Sequence, residues 1–152
     1  MSFNFTLFPV LNTERLILRE LSLCDDIEAV FKLRSNEDIN KLIKRETPKN
    51  LKDAEDFISV CLKEFNNKNR VFWAMEFDKK IIGTIVYHRI SLENNYAEIG
   101  YELNPNYQQR GFMSEAMKKV LEFGINRMQL KTNPLTVLVF NFMWRHNGKC
   151  DR

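Results

Sequence analysis

Apolar and polar residues are patterned as in β-strands over three segments in the middle of the chain. These segments span residues 71–77, 80–90 and 96–103 and are rich in β-branched and aromatic residues. Asp78-Lys79 and residues 92–95 separate them. Because connections this short join neighbouring antiparallel strands, the pattern predicts a meander.

One more strand and three helices are predicted around this meander. Charged and aliphatic residues alternate over 15–21, which favours a strand, and Ser22 to Asp25 has the spacing of a capping box that opens a helix. A second helix is predicted from Asn50 to residues 66–69, and a third after the polar loop 104–111. Apolar residues recur at three-to-four spacing in both, at Leu51, Ala54, Phe57, Ile58, Cys61, Leu62 and Phe65, and at Ala116, Met117, Val120, Leu121, Gly124, Ile125 and Met128.

The order of these elements predicts an α+β fold. A strand, two helices, three strands, a loop and a helix follow one another, which favours helices that flank a mostly antiparallel mixed sheet. No repeat or low-complexity linker interrupts the chain, so residues 1–152 are interpreted as a single domain.

Composition and charge exclude several classes of function. Lys and Arg number 23 against 20 Asp and Glu, which gives a net charge of +3. With so small a surplus and no basic stripe, a nucleic-acid partner is not expected. The cysteines form no CxxC pair, and His88 and His146 are the only histidines, so no metal site is expected.

The apolar segments of the chain do not predict contact with a membrane. No apolar run approaches the roughly 20 residues that span a bilayer. The N-terminus is aromatic but has no basic region followed by a long apolar core, as a signal peptide would. A cytoplasmic location is therefore expected.

The polar loop before the third predicted helix has the chemistry of an anion site. It contains Gln108, Gln109, Arg110, Gly111, Phe112, Met113 and Ser114. A helix N-terminus has unpaired backbone N–H groups and a partial positive charge, and a glycine lets the backbone approach a phosphate closely. From the residues alone, the segment is either a phosphate site or an ordinary strand-to-helix loop.

Two motifs resemble a known family. Gln108-x-x-Gly111-x-Met113 resembles the Q/R-x-x-G-x-G/A pyrophosphate loop of GNAT-superfamily N-acetyltransferases, with Met113 in place of the last small residue. The segment from Thr13 to Arg19 resembles the opening of the branch that acetylates ribosomal-protein N-termini, the RimJ/RimL-like enzymes. The resemblance extends over residues 11–132.

The resemblance implies a function and a cofactor site. Such enzymes transfer an acetyl group from acetyl-CoA to a primary amine, which here implies a protein N-terminus, a polyamine or another small amine as acceptor. Backbone amides of the loop would bind the pyrophosphate of acetyl-CoA, and the strand end at Leu103 would pair with the pantetheine arm. The implied cofactor-binding residues are Leu103, Gln108, Gln109, Arg110, Gly111, Phe112, Met113 and Ser114.

Glu98 is the candidate catalytic base. Alternation along 96–103 places Glu98 and Glu102 on one face of the strand and Ala97, Ile99, Tyr101 and Leu103 on the other. In the family, a carboxylate at the position of Glu98 accepts the proton of the attacking amine in some members. Two alternatives remain open, since both glutamates could be solvated strand residues or could bind a cationic substrate. Glu102 is a second candidate base.

The C-terminal tail departs from the family pattern after Thr132. A relative would continue with a strand, a helix and two more strands, whereas residues 133–152 contain an apolar run from Val137 to Trp144. No tyrosine follows Tyr107, so the usual general acid of the family has no candidate. The alternative function is therefore an impaired acyl-CoA-binding or interaction domain that lacks the C-terminal catalytic elements. The apolar tail is also expected to pair as a strand and to promote a homo-oligomer.

Overall fold

The computed structural model describes residues 5–91 and 93–130, so predictions for the tail 133–152 lie outside the described residues. Five strands form one sheet: β1 (Leu11–Asn12), β2 (Ile17–Arg19), β3 (Val71–Phe77), β4 (Lys80–Ser91) and β5 (Tyr96–Leu103). The helices are α1 (Ile27–Arg34), α2 (Glu37–Asn40), α3 (Leu51–Asn66) and α4 (Phe112–Asn126), and a 3-10 turn spans Pro105–Tyr107.

The strands pair in chain order, β1-β2-β3-β4-β5, and every pairing is antiparallel. The predicted α+β fold, an antiparallel sheet flanked by helices, is therefore confirmed. The meander arises because Asp78 and Lys79 adopt positive φ values of 51° and 64°, which closes the two-residue turn between β3 and β4.

Helices cover both faces of this sheet. On one face α1 and α3 pack against the strands through Val30, Ala54, Ile58, Cys61, Phe72 and Ala74. On the other face α4 packs on a larger cluster that includes Trp73, Tyr87, Ile99, Phe112 and Val120. The indole of Trp73 donates to the Pro9 carbonyl at 2.8 Å and the hydroxyl of Tyr87 to the Val120 carbonyl at 2.9 Å. Both aromatic residues are buried core residues.

The N-terminal part of the fold differs from the sequence-based prediction. The strand predicted over 15–21 is only Ile17–Arg19, and a short strand before it was not predicted. Helix α1 begins at Ile27 rather than directly after Ser22. The hydroxyl of Ser22 accepts from the amides of Cys24 and Asp25 at 3.1 and 3.2 Å, so it closes a turn that precedes the helix.

Gly83 lets the ends of β4 and β5 approach each other. A Cβ at this position would lie 2.5 Å from the Glu102 carbonyl oxygen and 3.0 Å from Leu103 Cδ1. Because the nearer atom belongs to the backbone, the strand end itself must move. We expect Gly83→Ala to lower the free energy of unfolding by about 1–3 kcal/mol, measured by urea denaturation.

Lys80→Ala on the same strand is the matched control for this substitution. Lys80 is exposed, so its removal is expected to change the free energy of unfolding by less than about 0.5 kcal/mol. Equal stability of Gly83→Ala and Lys80→Ala would contradict the close approach of the strand ends.

Candidate active site

The loop between β5 and α4 folds back on the strand that precedes it. The amide of Asn104 donates to the Ile82 carbonyl at 2.8 Å, so pairing with β4 continues past the end of β5. The side chain of Asn104 accepts from the Asn106 amide at 2.9 Å and begins the 3-10 turn. Gln108 Nε2 then donates to the Leu103 carbonyl at 3.0 Å. The predicted cofactor residue Gln108 therefore braces the loop against the strand end.

Two residues of this loop have a left-handed backbone. Gln109 has φ 63°, and Gly111, the N-cap of α4, has φ 83°. A Cβ on Gly111 would also lie 3.3 Å from Nη2 of Arg15. Glycine is favoured at position 111 both by its backbone conformation and by this close neighbour.

Backbone amides are available at the start of α4. The N–H groups in the first turn of a helix have no acceptor within the helix. Within the described part of the chain, the first amide after Gly111 that donates to the protein is that of Glu115, to the Gly111 carbonyl at 3.0 Å. The amides of Phe112, Met113 and Ser114 precede it at the positive end of a 15-residue helix.

The side chains of the predicted loop residues differ in their exposure. Gln109, Arg110 and Ser114 are exposed. Phe112 and Met113, the first two residues of α4, are buried in the core. The latter two can therefore offer a ligand only their backbone amides. Because the Met113 side chain is part of the core, its bulk does not narrow the exposed side of the loop.

Leu103 lies at the end of the strand that leads into the loop. It is opposite Gly83 on β4, and its side chain packs in the core with 5% exposure. Among the described strands, β5 pairs only with β4, so its other edge faces no described strand. Such an edge has alternating N–H and C=O groups that can pair with an extended ligand.

Glu98 lies on the face of β5 opposite Leu103, as alternation predicted. Its carboxylate is partly exposed, with a side-chain exposure of 19%. It accepts from the Tyr96 hydroxyl at 3.3 Å and from Arg89 Nη1 at 3.4 Å. Arg89 has φ 50° within a β-bulge between His88 and Ser91, and its guanidinium reaches Glu98 from there. The structure thus places a half-buried carboxylate with two donors at the predicted position of the base.

His88 is directly opposite Glu98 in the register of β4 and β5. Burial lowers the pKa of His88, and the cations Arg70 and Arg89 lower it further, while the Glu98 carboxylate opposes them. The imidazole is therefore neutral at neutral pH, and the lowered pKa makes it a weaker base than an exposed imidazole. No sequence pattern predicted that His88 and Glu98 are neighbours, because their pairing depends on the register of β4 and β5.

Glu102 is not a solvated strand residue. Its side chain is 5% exposed, and its Oε2 accepts from the Thr84 hydroxyl at 3.2 Å. Arg45 Nη2 lies 2.8 Å from its Oε1 and Arg34 Nη1 lies 3.9 Å from its Oε2. Two guanidinium groups and a hydroxyl thus surround the carboxylate, so the geometry does not favour Glu102 as a base.

Known proteins with similar sequences identify the family of this chain. The family described as acetyltransferase (GNAT) domain matches residues 15–147. The chain belongs to the GNAT acetyltransferase family. The matched range continues past residue 132, where the family-like part was predicted to end. Family membership makes the chain an acetyl-CoA-dependent acyltransferase domain.

The uncharacterized N-acetyltransferase YoaA of Bacillus subtilis is 33% identical over 126 residues, which are 82% of this chain and 71% of YoaA. The ribosomal-protein-S5-alanine acetyltransferase of Vibrio fischeri has a similar fold, with a TM-score of 0.72, 16% identity, and coverage of 89% of this chain and 81% of its own. The microcin C7 self-immunity acetyltransferase MccE, solved with acetyl-CoA and AMP, gives a TM-score of 0.67 at 22% identity, covering 77% and 66%. At these identities the two structures support the fold alone.

Arg15 and Thr13 of this GNAT domain contact the start of α4, and neither was among the predicted site residues. Arg15 Nε lies 2.8 Å from Glu115 Oε1, its amide donates to Glu115 Oε2 at 2.8 Å, and the Thr13 hydroxyl also donates to Oε2. Burial opposes ionisation of Glu115, but these hydrogen bonds outweigh it and the pKa of Glu115 lies below its usual value. The Thr13-to-Arg19 motif was the only sequence signal, and it does not reveal Glu115 as the partner.

An open cleft of about 1000 Å³ lies on the α1 and α3 side of the sheet. Arg34, which approaches Glu102, is part of its wall. Its charged lining residues are balanced, with Arg34, Lys49 and Arg70 against Glu46, Asp53 and Asp56. The GNAT domain therefore has a mixed polar surface on the same face of the sheet as Glu98.

The described residues contain neither a metal-binding cluster nor a membrane-spanning helix. Within residues 5–91 and 93–130, no three His, Cys, Asp or Glu side chains are close enough together to hold a metal ion. In the same part of the chain, no helix is both long and apolar enough to cross a membrane.

Proposed function

We propose that this chain transfers an acetyl group from acetyl-CoA to a primary amine by direct attack within a ternary complex in the cytoplasm. The acceptor class is a protein N-terminus, a polyamine or another small amine. The observation that carries the proposal is the position of one strand, β5. Its edge away from β4, with which no described strand pairs, leads directly into the amide-rich start of α4, and its face towards α1 and α3 carries Glu98.

The loop residues are suited to hold the pyrophosphate. Gly111 has a left-handed backbone, and the amides of Phe112, Met113 and Ser114 lie at the positive end of α4. The exposed Arg110 adds a positive charge at the same place. The edge of β5 that ends at Leu103 would pair with the extended arm of the cofactor, and a backbone amide near Leu103 would polarise the thioester carbonyl.

Glu98 is proposed to handle the proton of the acceptor. A protonated amine has no lone pair for attack, so one proton must leave before the new C–N bond forms. Acetyl-CoA supplies the acetyl group as a thioester. The C–S bond breaks as the C–N bond forms, CoA leaves as a thiolate, and the proton that the nitrogen then loses neutralises this thiolate through water. Glu98 Oε1 or Oε2 would accept the proton of the amine, while Arg89 and Tyr96 hold the carboxylate in place.

A screen of amines for CoA release tests this function. Purified protein is incubated with acetyl-CoA and with polyamines, peptides with free N-termini and small amines, and the released thiol is measured with a thiol reagent. Cys24 is exposed and would react with the reagent, and the sequence has a further thiol at Cys150, so the screen uses the double variant Cys24→Ser/Cys150→Ser. Burial raises the pKa of the Cys61 thiol to about 12, so Cys61 does not compete.

The acceptor product identifies the reaction independently of the thiol signal. A gain of one acetyl group by mass spectrometry in at least one amine is the expected result. Binding of acetyl-CoA without acetylation of any amine class would favour the non-catalytic acyl-CoA-binding domain instead. Absence of acetyl-CoA binding would contradict both functions.

A further inference from the structure

We propose that Arg15, Glu115 and Thr13 form a latch that fixes the cofactor loop in its anion-binding conformation before the cofactor arrives. The latch joins the turn between β1 and β2 to the start of α4, which lies 100 residues further along the chain. The proposal rests on the proposed use of residues 108–114 as the pyrophosphate site.

The turn that carries the latch is itself braced. The amide of Thr13 donates to the Leu16 carbonyl at 2.9 Å, and the Thr13 hydroxyl accepts from the Leu16 amide at 2.9 Å. Thr13 and Arg15 therefore come from a closed turn rather than a loose segment. A rigid turn is a suitable anchor because holding Glu115 then costs little additional conformational entropy.

Glu115 receives donors from both residues of this turn. The Thr13 hydroxyl and the Arg15 amide donate to Oε2, and Arg15 Nε donates to Oε1. Because Glu115 lies in the first turn of α4, these contacts fix the direction in which the helix starts. The paired guanidinium also neutralises a carboxylate that would otherwise repel a bound phosphate.

Arg15 also contacts the loop on both sides of Gly111. Its Nη2 donates to the Arg110 carbonyl at 3.0 Å, and its guanidinium lies 4.1 Å from the ring centre of Phe112. In a trans peptide the C=O and the following N–H point in opposite directions. Arg15 therefore holds the Arg110 carbonyl on its own side and directs the Gly111 amide to the other side, away from the latch.

Two of the five N–H donors of the Arg15 guanidinium are engaged within the protein, and both of these contacts hold the start of α4 or the loop before it. Nε is used by Glu115 and Nη2 by the Arg110 carbonyl. Arg15 is thus a positioning residue. Substitution of Arg15 should change the conformation of the loop. Its effect on the affinity for CoA should depend on whether Glu115 is present.

The first test measures the affinity for CoA by calorimetry in Arg15→Gln, Glu115→Gln and the double variant. We expect Arg15→Gln to raise the Kd at least tenfold, because it frees the loop and leaves Glu115 unpaired near the phosphate. The double variant should bind more tightly than Arg15→Gln, since the unpaired charge is removed. Arg15→Lys, which retains the charge but not the three contacts, should be intermediate.

Arg19→Gln is the matched control. Arg19 also lies on the N-terminal hairpin and forms ion pairs of comparable geometry with Asp26 at 2.8 Å and Glu76 at 2.6 Å. The Arg19→Gln variant should have a lower free energy of unfolding, and its Kd for CoA should change by no more than twofold. An equal loss of affinity in Arg19→Gln and Arg15→Gln would assign the effect to general destabilisation and overturn the latch.

A second measurement needs no cofactor. Residue-resolved amide hydrogen exchange of the free protein should be faster in Arg15→Gln at residues 115–118, which begin the hydrogen-bonded part of α4. Unchanged exchange together with unchanged CoA affinity would overturn the latch and leave the proposed function intact. Faster exchange in a protein whose wild type does not bind CoA would support the latch and contradict the proposed function.

Discussion

Gly111→Val is expected to raise the Kd for CoA more than tenfold, which corresponds to about 1.4 kcal/mol of lost binding free energy or more. Gly111 has φ 83°, and a β-branched residue is strained in that region. The new Cβ would also lie 3.3 Å from Arg15 Nη2, and the two valine methyl groups extend further. Either the guanidinium or the loop must move. Calorimetry of the two proteins measures the effect.

Gly111→Asn separates the two causes of this effect. Asparagine tolerates a left-handed backbone but still carries a Cβ, so it retains the contact with Arg15 while relieving most of the backbone strain. Affinity between those of the wild type and Gly111→Val is expected. If Gly111→Val binds CoA as tightly as the wild type, the loop from Gln108 to Ser114 is not the pyrophosphate site.

The central strands and α3 could be predicted because their signals are local. The predicted strands 71–77 and 96–103 have the observed bounds, since alternation and short turns define both ends. Asn50 was the predicted start of a helix, and its side chain indeed accepts from the Asp53 amide at 3.0 Å. Each of these features depends on residues within a few positions of one another, which a sequence pattern can reveal.

The N-terminal hairpin could not be predicted in the same way. The alternation over 15–21 resembles one strand, yet Arg15 leaves the strand pattern to bind Glu115 and the Arg110 carbonyl. Helix α2 is four residues long, too short to show a helical period. Contacts between residues about 100 positions apart override the local pattern, and no single-sequence signal specifies them.

The candidate site was predictable in its positions but not in its partners. Alternation placed Glu98 and Glu102 on one face, and the structure confirms this placement. The two differ because Arg45 and Arg34 approach Glu102, whereas Glu98 meets Arg89 and Tyr96. Arg45 lies in a segment without hydrophobic periodicity, so no sequence pattern predicted its contact with Glu102 on β5. Of the two, only Glu98 retains the partial exposure that a base requires.

Glu98→Gln is expected to lower kcat about 100-fold or more while leaving the Kd for acetyl-CoA unchanged. Glutamine has nearly the same shape and can still accept from Tyr96 and Arg89, but it does not take up a proton at neutral pH. Because Glu98 lies on the face of β5 away from α4, the cofactor loop should not be affected. Steady-state kinetics with the best acceptor, together with calorimetry, measure the two quantities.

Two control variants on the same strands sharpen this test. Tyr96→Phe removes one donor to Glu98 at 3.3 Å but retains the carboxylate, so it should lower kcat far less than Glu98→Gln. His88→Gln removes the neutral imidazole opposite Glu98 and should likewise have a smaller effect if the carboxylate is the proton acceptor. The acidic limb of the kcat profile should flatten only in Glu98→Gln, because that variant alone loses the proposed proton acceptor. An unchanged kcat in Glu98→Gln together with a large loss of kcat in His88→Gln would indicate that His88 on β4, and not Glu98 on β5, accepts the proton. Unchanged kcat in both variants would assign deprotonation to water or to ionisation of the amine itself.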